Sequence, residues 1–362
     1  KKDLFYNGKR VTKFEKKFSN YIGTKYAVAV SSGTAAIKTA LISLGVKKGD
    51  EVITQSFTFI ATVEAIMDIG AKPVVVNIDD TLNMCPIELS KKITKKTKAI
   101  IPVHMLGVSV EVDKILKIAR KNRIPVIDDN CEALGAKWGN KKLGYHADIC
   151  IWSFDNGKTI TTGEGGMITT NNKKYYDLCK EYKDHGHQNN PKFPRGLDTH
   201  RIYGFNYRIT EIQAALGLSQ LKKLSLIIKN NKDNYKIIYN KISKIKKISF
   251  RKIPRKCNPL FDCLIFYLPN KNLANTFDKM LKAKKIKTKN LPSAINWHFA
   301  KHWDHIFKNF GYNKKKLTKK FSKSSYFLDR AIAIPISSIK NKAKTKLIAN
   351  QIFNIANILK LN

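Results

Sequence analysis

The sequence predicts an α/β fold: a mostly parallel central sheet with helices on both faces, followed by a smaller C-terminal α/β domain. Through the first two-thirds of the 362 residues, short apolar runs alternate with stretches of helical periodicity. This alternation is typical of βα units in a parallel sheet. Farther along, the strand-like runs give way to long helices. We therefore predict a large domain at residues 1–235 and a small one at residues 236–362.

Seven runs rich in β-branched residues are predicted to be strands of the large domain. In chain order they are KYAVAV, DEVITQ, KPVVVNI, KAIIPV, IPVIDD, ADICIWSF and GGMITT. An amphipathic helix, TAAIKTALISLG, is predicted after the first run and ends at Gly45, and EVDKILKIARKNR is predicted to be another helix. From Asn206 onward, we predict one or two long helices that lead into the small domain, in the segment NYRITEIQAALGLSQLKKLSLIIKNNKDNYKIIYNKI.

The net charge of +41 suggests a polyanionic partner at first sight. Only nine of the 68 basic residues are arginine, however, and arginine is the usual residue for recognising phosphates and bases. The lysines are spread along the chain, without a basic helix or a nucleic-acid-binding motif. We therefore predict general lysine enrichment and no specific nucleic-acid partner; a polyanion-binding surface is the alternative.

The cysteine and histidine patterns do not predict a metal site. The six cysteines are scattered without a C-x-x-C pair, which favours reduced thiols and a cytoplasmic location. His298, His302 and His305 have helical spacing but no accompanying carboxylate pattern, so packing or a contact at the edge of a substrate site is favoured. No apolar run approaches the roughly 18 residues of a membrane span.

Three polar motifs follow predicted strands. In VSSGTAA, Gly33 and Thr34 stand where the free N–H groups of a helix would bind an anion, although a simple helix cap is the alternative. In VIDDN, two aspartates end a strand, where a cation or a protonated ring nitrogen could bind; a helix cap is again the alternative. In SFDNGKTITTGEGG, Lys158 is either part of a surface turn or a reactive amine.

Together, these three motifs are the parts that a pyridoxal phosphate enzyme needs. A lysine amine forms a Schiff base with the aldehyde of the cofactor, and a carboxylate keeps the pyridine nitrogen protonated. A helix N-terminus and nearby hydroxyls hold the phosphate. The segment QSFTFIAT offers an aromatic face for the ring.

The order of the motifs resembles the DegT/DnrJ/EryC1/StrS aminotransferases, fold-type I pyridoxal phosphate enzymes that mostly make amino sugars. The resemblance is carried by SSGT, DEVI, SFTFIAT, PVHMLG, IDDNCEALGA, SFDNGKTITTGEGG and GFNYRITEIQAALG. It is dense over residues 10–225, and S-F-x-x-x-K followed by T-T-G-E-G-G is its most specific part. It implies a fold-type I α/β transferase with pyridoxal 5'-phosphate as cofactor.

The resemblance implies roles for residues around the cofactor ring. Lys158 matches the Schiff-base lysine; Asp129, rather than Asp128, matches the aspartate that pairs with the ring nitrogen. Phe59 matches the aromatic residue stacked on the ring. Glu132 stands near the 3-oxygen, where many members have glutamine or histidine. Lys158 would also move a proton between substrate and cofactor carbons, with a pKa lowered by desolvation and by the cationic ring.

The phosphate of the cofactor is implied to contact Gly33, Thr34 and Ser153. Asn206 matches an asparagine that reaches this phosphate from the partner subunit. The resemblance therefore implies a homodimer.

Five further polar residues are candidate substrate contacts, with structural hydrogen bonds or salt bridges as the alternative. His104 and His185 match positions that are commonly polar near the active site. Arg195, Arg201 and Arg208 crowd into one segment, and bidentate arginines suit a carboxylate as well as a nucleotide diphosphate.

The implied reaction moves an amino group from an amino acid, expected to be glutamate, to an oxo-sugar for surface polysaccharide or lipopolysaccharide biosynthesis. Most of the family acts on nucleotide-linked oxo-sugars. A smaller branch, the 8-amino-3,8-dideoxy-manno-octulosonate transaminases, aminates an 8-oxo octulosonate. Two segments of the chain resemble that branch, DHGHQNNPKFPRGLDTHRIYGFNYR and NWHFAKHWDH. A sugar dehydratase of the same fold is a further alternative, but its members typically carry histidine in place of Lys158.

Overall fold

The computed structural model of the chain describes residues 8–339 and 341–362. Its strands are β1 (Tyr26–Val30), β2 (Glu51–Gln55), β3 (Lys72–Val76), β4 (Thr97–Ile101), β5 (Ile127–Asp129), β6 (Lys137–Trp138), β7 (Lys141–Lys142), β8 (Ile149–Ser153), β9 (Gly166–Thr170), β10 (Ser249–Phe250), β11 (Cys257–Asn258), β12 (Cys263–Tyr267) and β13 (Ala331–Pro335). All seven predicted strands of the large domain are confirmed.

The α-helices are α1 (Lys9–Ile22), α2 (Gly33–Ser43), α3 (Ala61–Asp68), α4 (Pro86–Lys92), α5 (Val112–Lys121), α6 (Lys173–Tyr182), α7 (Glu211–Ile242), α8 (Lys271–Ala283), α9 (Ile295–His298), α10 (Asp304–Phe307), α11 (Lys314–Lys320), α12 (Ser322–Leu328) and α13 (Lys342–Ile358). The helices expected after the first and fourth predicted strands are α2 and α5. Gly45, with φ of +75°, follows the end of α2 as predicted. No helix in the described ranges is both long and apolar enough to cross a membrane.

The central sheet has the strand order β3-β2-β4-β5-β8-β9-β1. Hydrogen-bonded ladders join β3, β2 and β4, and also β5, β8, β9 and β1, while parallel bridges from Ile100 to Val126 and from Val103 to Asp129 join β4 to β5. Strand β9 runs antiparallel to both of its neighbours, whereas the other pairings are parallel. The sheet is therefore mostly parallel, as predicted, and β8 and β9 form a hairpin whose loop carries Lys158.

Helices cover both faces of this sheet, as the alternation of side chains along β1 shows. Val28 and Val30 are buried in the cluster that contains α2, whereas Ala27 and Ala29 are buried in the cluster that contains α1 and part of α7. Successive residues of a strand point to opposite faces, so these two clusters lie on opposite sides of the sheet.

The C-terminal part of the chain forms a smaller antiparallel sheet, β10-β12-β13, with its own hydrophobic core. The long helical region is a single helix, α7, which contacts both α1 and α13. The predicted division between residues 235 and 236 falls inside this helix, and the two-domain boundary stays a prediction.

An aromatic cluster between α1 and β8 fixes the start of the lysine loop. The Phe18 ring lies 5.4 Å from that of Trp152 and 5.5 Å from that of Phe154, and Phe14 packs against Phe154 at 5.3 Å. All four rings are buried. Because Phe154 directly follows Ser153, this packing anchors the segment from which the loop departs.

We expect Phe18→Ala to lower the free energy of unfolding by about 3–5 kcal/mol, because it leaves a cavity among three aromatic rings. Chemical denaturation followed by circular dichroism measures this. The matched control is Phe193→Ala, the same truncation at a side chain that is 45% exposed. Equal losses in the two variants would contradict the anchoring role of the cluster.

Candidate active site

The N-terminus of α2 lies at the carboxyl end of β1. The Ser32 hydroxyl caps the helix by accepting a hydrogen bond of 3.0 Å from the Ala35 N–H. A Cβ added to Gly33 would lie 2.9 Å from Ser153 Cβ, so glycine is required for the helix start to approach the end of β8. The free N–H groups of this helix and the Ser153 hydroxyl therefore meet at one place, which suits an anion.

The two aspartates at the end of β5 face different surroundings. Asp128 accepts a 2.7 Å hydrogen bond from His104 Nε2, while Asp129 points to the other side and accepts one of 3.0 Å from the Cys131 N–H. Asp129 Oδ2 receives a long contact of 3.5 Å from the Thr62 hydroxyl. Burial raises the pKa of Asp129. The carboxylate thus gains stability from any buried cationic N–H placed beside it.

The loop between β8 and β9 turns tightly through its glycines and threonines. The Phe154 N–H bonds the Gly165 carbonyl at 2.8 Å, and the Thr162 N–H bonds back to the Phe154 carbonyl at 2.9 Å. Gly163 has φ of +81°, a conformation that side chains disfavour. These bonds hold the loop against the sheet end and direct Lys158 inward, where its side chain is 21% exposed.

Lys158 faces the Glu132 carboxylate, with Nζ 3.8 Å from Oε1. Burial acts to lower the pKa of Lys158, but Glu132, Cys131 and Asp129 together outweigh it and the net pKa lies above the usual value. In Glu132 burial acts to raise the pKa, and Lys158 and Lys289 lower it to about 2. The expected lowering of the Lys158 pKa by desolvation is therefore corrected: among the protein's own side chains, the nearby acidic groups together outweigh the effect of burial.

These groups surround a cavity of about 430 Å³, here called the strand-end cavity. Its wall includes Ser32, Gly33, Thr34, Thr58, Phe59, Thr62, Met105, Asp129, Cys131, Glu132, Ser153, Asp155, Lys158, Glu164, Lys289, Asn290 and His298. Seven residues singled out from the sequence as contacts of the cofactor within one chain meet here: Gly33, Thr34, Phe59, Asp129, Glu132, Ser153 and Lys158. Phe59 is 45% exposed, so its ring is available to a ligand.

Sequence reasoning missed part of the wall, which comes from residues 289–298. Lys289 and Asn290 belong to no recognisable sequence motif, and His298 stands out in the sequence only as part of a histidine-rich run. The segment is attached to the Phe59 loop by main-chain hydrogen bonds, from Thr58 N–H to the His298 carbonyl and from Ile60 N–H to the Trp297 carbonyl, both 3.0 Å. Contacts of this kind, across more than 200 residues of chain, leave no local pattern.

His298 stands beside Phe59, with ring centroids 5.4 Å apart. Its Nδ1 lies 2.8 Å from the Ala294 carbonyl oxygen, which can only accept, so Nδ1 carries the proton. Nε2 is then the ring nitrogen available to a ligand. This position in the cavity wall suits a contact at the edge of a substrate site, which is one of the two roles expected for His298 beside packing.

His104 lies outside the cavity wall and is fully buried. Its Nδ1 accepts a hydrogen bond of 3.1 Å from the Val110 N–H, so Nε2 carries the proton that Asp128 accepts. The substrate contact considered for His104 is replaced by a structural role, since both of its ring nitrogens are used inside the protein. Its main-chain N–H also bonds the Asp129 carbonyl at 3.0 Å, which fixes the strand end that presents Asp129.

The arginine-rich segment also lies outside the cavity wall of this chain. Arg195 makes a bidentate pair with Asp184, at 2.8 and 2.6 Å, and Arg208 bonds the same carboxylate at 2.6 Å. Arg201 makes a bidentate pair with Glu181 at 2.8 and 2.6 Å. Within one chain, the three arginines therefore form the salt bridges that were the alternative to substrate binding.

Two predicted residues of the same region are exposed in the chain. His185, with φ of +55°, and Asn206 lie at the surface and do not line the strand-end cavity. The main chain beside Asn206 nevertheless approaches the anion site, because the Ser31 N–H bonds the Tyr207 carbonyl at 2.8 Å. The predicted contact of Asn206 with a partner's phosphate stays a prediction.

The side chains fit pyridoxal phosphate. The α2 N-terminus with Ser153 suits its phosphate, the buried Asp129 suits a protonated ring nitrogen, and Phe59 offers a partly exposed ring beside the Lys158 amine. Gly33 supports the fit, because a Cβ there would crowd Ser153. In residues 8–339 and 341–362, no group of three or more His, Cys, Asp or Glu side chains is placed to hold a metal ion.

Comparison with known proteins supports the same family. A model of the DegT/DnrJ/EryC1/StrS aminotransferase family matches residues 1–353. The chain is 41% identical over 251 residues to a GDP-perosamine synthase of Escherichia coli O157:H7, covering 67% of this chain and 66% of that enzyme. It is 31% identical over 345 residues to the spore coat polysaccharide biosynthesis protein SpsC of Bacillus subtilis. This alignment covers 91% of this chain and 85% of SpsC.

Solved structures share the fold over nearly the whole chain. Helicobacter pylori PseC, an aminotransferase involved in the biosynthesis of pseudoaminic acid, is 25% identical with a TM-score of 0.87, over 99% of this chain and 94% of that chain. The same fold is found in a putative sugar aminotransferase of Streptococcus pneumoniae in its pyridoxal phosphate form, which is 23% identical with a TM-score of 0.87. The match covers 98% of this chain and 93% of that chain. The predicted fold class and cofactor are confirmed: the chain belongs to the DegT/DnrJ/EryC1/StrS aminotransferase family and uses pyridoxal phosphate.

Proposed function

We propose that the protein is an aminotransferase that moves an amino group from an amino acid, expected to be glutamate, to a nucleotide-linked oxo-sugar for surface polysaccharide biosynthesis. One observation carries the proposal: Lys158 enters the strand-end cavity opposite Glu132, between the buried Asp129 carboxylate and the α2 N-terminus. The names of the relatives, a GDP-perosamine synthase and a spore coat polysaccharide protein, support the sugar chemistry.

The cofactor supplies an aldehyde that binds amines and a ring that withdraws electrons from the carbon next to the bound nitrogen. Asp129 would keep the proton on the ring nitrogen, since its buried carboxylate is stabilised by a cationic N–H. Gly33, Thr34 and Ser153 would hold the phosphate, and Phe59 would cover one face of the ring. These residues orient the ring without taking part in proton transfer at the substrate.

Lys158 is placed to move the proton. Its Nζ can take a proton from the carbon of the amino donor and give it to the cofactor carbon on the other side of the bound nitrogen. One amine would thus act as both general base and general acid. Glu132, at 3.8 Å, stabilises the ammonium that forms. The low exposure of both side chains, 21% and 10%, limits the access of water to that proton.

The arginines do not distinguish the two classes of sugar. Bidentate arginines suit the carboxylate of an eight-carbon sugar and a nucleotide diphosphate alike, and each of the three binds a carboxylate of its own chain. Most members of the family act on nucleotide-linked sugars. We therefore place a nucleotide-linked oxo-sugar first and the 8-oxo octulosonate second. A sugar dehydratase is disfavoured because Lys158 is present.

The second half-reaction distinguishes the sugars. Enzyme preloaded with the amino group is mixed with GDP-, UDP- or dTDP-linked oxo-sugars and, separately, with the 8-oxo octulosonate. We expect at least one nucleotide-linked sugar to restore the visible absorption of the cofactor in a single turnover. Lys158→Ala is the control and should restore no such band. Restoration by the octulosonate alone would contradict our first choice.

Asn206 allows a test of the proposed homodimer. We expect Lys158→Ala and Asn206→Ala to be inactive separately and to recover about a quarter of wild-type activity when mixed in equal amounts, since half of randomly formed dimers are mixed and hold one intact site. Activity after subunit exchange is measured, with exchange verified by mass spectrometry of the intact dimers. No recovery despite exchange would mean that Asn206 acts within its own subunit or has no role in the site.

A further inference from the structure

A second lysine, Lys289, lines the same cavity as Lys158 and Glu132. Glu132 Oε1 faces Lys158 Nζ at 3.8 Å and also accepts a hydrogen bond of 3.3 Å from Asn290 Nδ2. Lys289 precedes Asn290 and lines the strand-end cavity as well. Its charge acts on both Glu132 and Lys158. The two lysines therefore belong to one cluster, although they come from distant parts of the chain.

Lys289 is held as a cation by Asp262. The Nζ–Oδ2 distance is 2.6 Å, and the Lys289 side chain is 26% exposed. Burial acts to lower the pKa of Lys289, but Asp262 and Glu132 outweigh it and the pKa lies above the usual value. An ammonium has three N–H donors. After the bond to Asp262, Lys289 retains donors for an anion inside the cavity that it lines.

The reaction described above does not use this cation. Lys158 is taken by the cofactor, and the three arginines of the segment at residues 195–208 are paired outside the wall. Among the described residues that line the strand-end cavity, Lys158 and Lys289 are the two lysines, and no arginine is present. Lys289 is thus the wall's remaining permanent positive charge.

We propose that Lys289, assisted by Asn290, binds the carboxylate attached to the reacting carbon of the amino donor. Every α-amino acid carries this carboxylate one bond from the carbon that bears the amino group, so its partner must lie close to Lys158. The diphosphate of a nucleotide sugar and the carboxylate of an octulosonate are several bonds from the carbon that is aminated. A cation in the same cavity wall as the reactive lysine therefore suits the donor better than the sugar.

This assignment rests on the proposed aminotransferase function and adds its donor-binding residue. Charge-assisted hydrogen bonds are roughly twice as strong as neutral ones, and losing one weakens binding by roughly ten- to a hundredfold. A neutral residue at position 289 should therefore reduce the affinity for the donor much more than it alters the reaction with the sugar.

The test compares Lys289→Gln and Lys289→Arg with Lys287→Gln, a matched control at an exposed lysine two residues away. Holoenzyme is titrated with 2-methylglutamate, which lacks the hydrogen lost in catalysis, so the spectral change reports binding alone. We expect binding to weaken by roughly ten- to a hundredfold in Lys289→Gln, to recover largely in Lys289→Arg, and to be unchanged in Lys287→Gln.

Lys289→Gln leaves Asp262 without its cation, so folding is checked by thermal unfolding. Asn290→Asp keeps the pair between Lys289 and Asp262 and adds a negative charge beside the same site; we expect it to weaken binding as well. In single turnovers, Lys289→Gln should slow the donor half-reaction far more than the sugar half-reaction.

Wild-type affinity for 2-methylglutamate in folded Lys289→Gln would overturn the proposal. So would a defect confined to the sugar half-reaction, which would assign Lys289 to the sugar. Failure of the proposed function is distinguishable, because the wild-type enzyme itself would then give no spectral change with any amino acid, and both proposals would fall.

Discussion

An ammonium enclosed in a cavity needs a carboxylate, and the pair of Lys158 and Glu132 meets this constraint in the strand-end cavity. Leaving either charge unpaired in so enclosed a site would cost several kcal/mol, on the order of 3–5. The pair forms only if the β8–β9 loop turns inward while the segment after β5 presents Glu132 across the cavity. Its 3.8 Å separation therefore depends on the order and direction of the central strands.

The same strand ends assemble the rest of the site. Parallel strands bring their carboxyl ends to one edge of the sheet, so the α2 N-terminus, the Phe59 loop and Asp129 lie beside the lysine loop. The antiparallel β9 brings the chain back along β8, which makes the Lys158 loop a hairpin fastened at both ends. The buried aromatic rings of α1 pack against Trp152 and Phe154, and so anchor the segment from which the loop departs.

Much of this arrangement follows from the sequence, because its signals are local. The β-branched runs predict the strands, and the glycines around Lys158 predict a tight turn. The part that sequence reasoning missed is made of long-range contacts. Lys289 owes its importance to Asp262 and Glu132, and Arg208 owes its structural role to Asp184; no spacing rule connects these residues. His104 is likewise a candidate site residue in the sequence, whereas in the structure it donates to Asp128 and is buried.

We expect Lys158, and not Lys289, to bond covalently to the cofactor. Each lysine is paired with a different carboxylate, and the glycine-rich turn directs Lys158 between the phosphate site and Asp129. Reducing the holoenzyme with borohydride and mapping its peptides by mass spectrometry tests this directly. We expect a pyridoxyl group on the peptide that contains Lys158. A label on Lys289, or no labelled lysine in a protein that retains its cofactor, would contradict it.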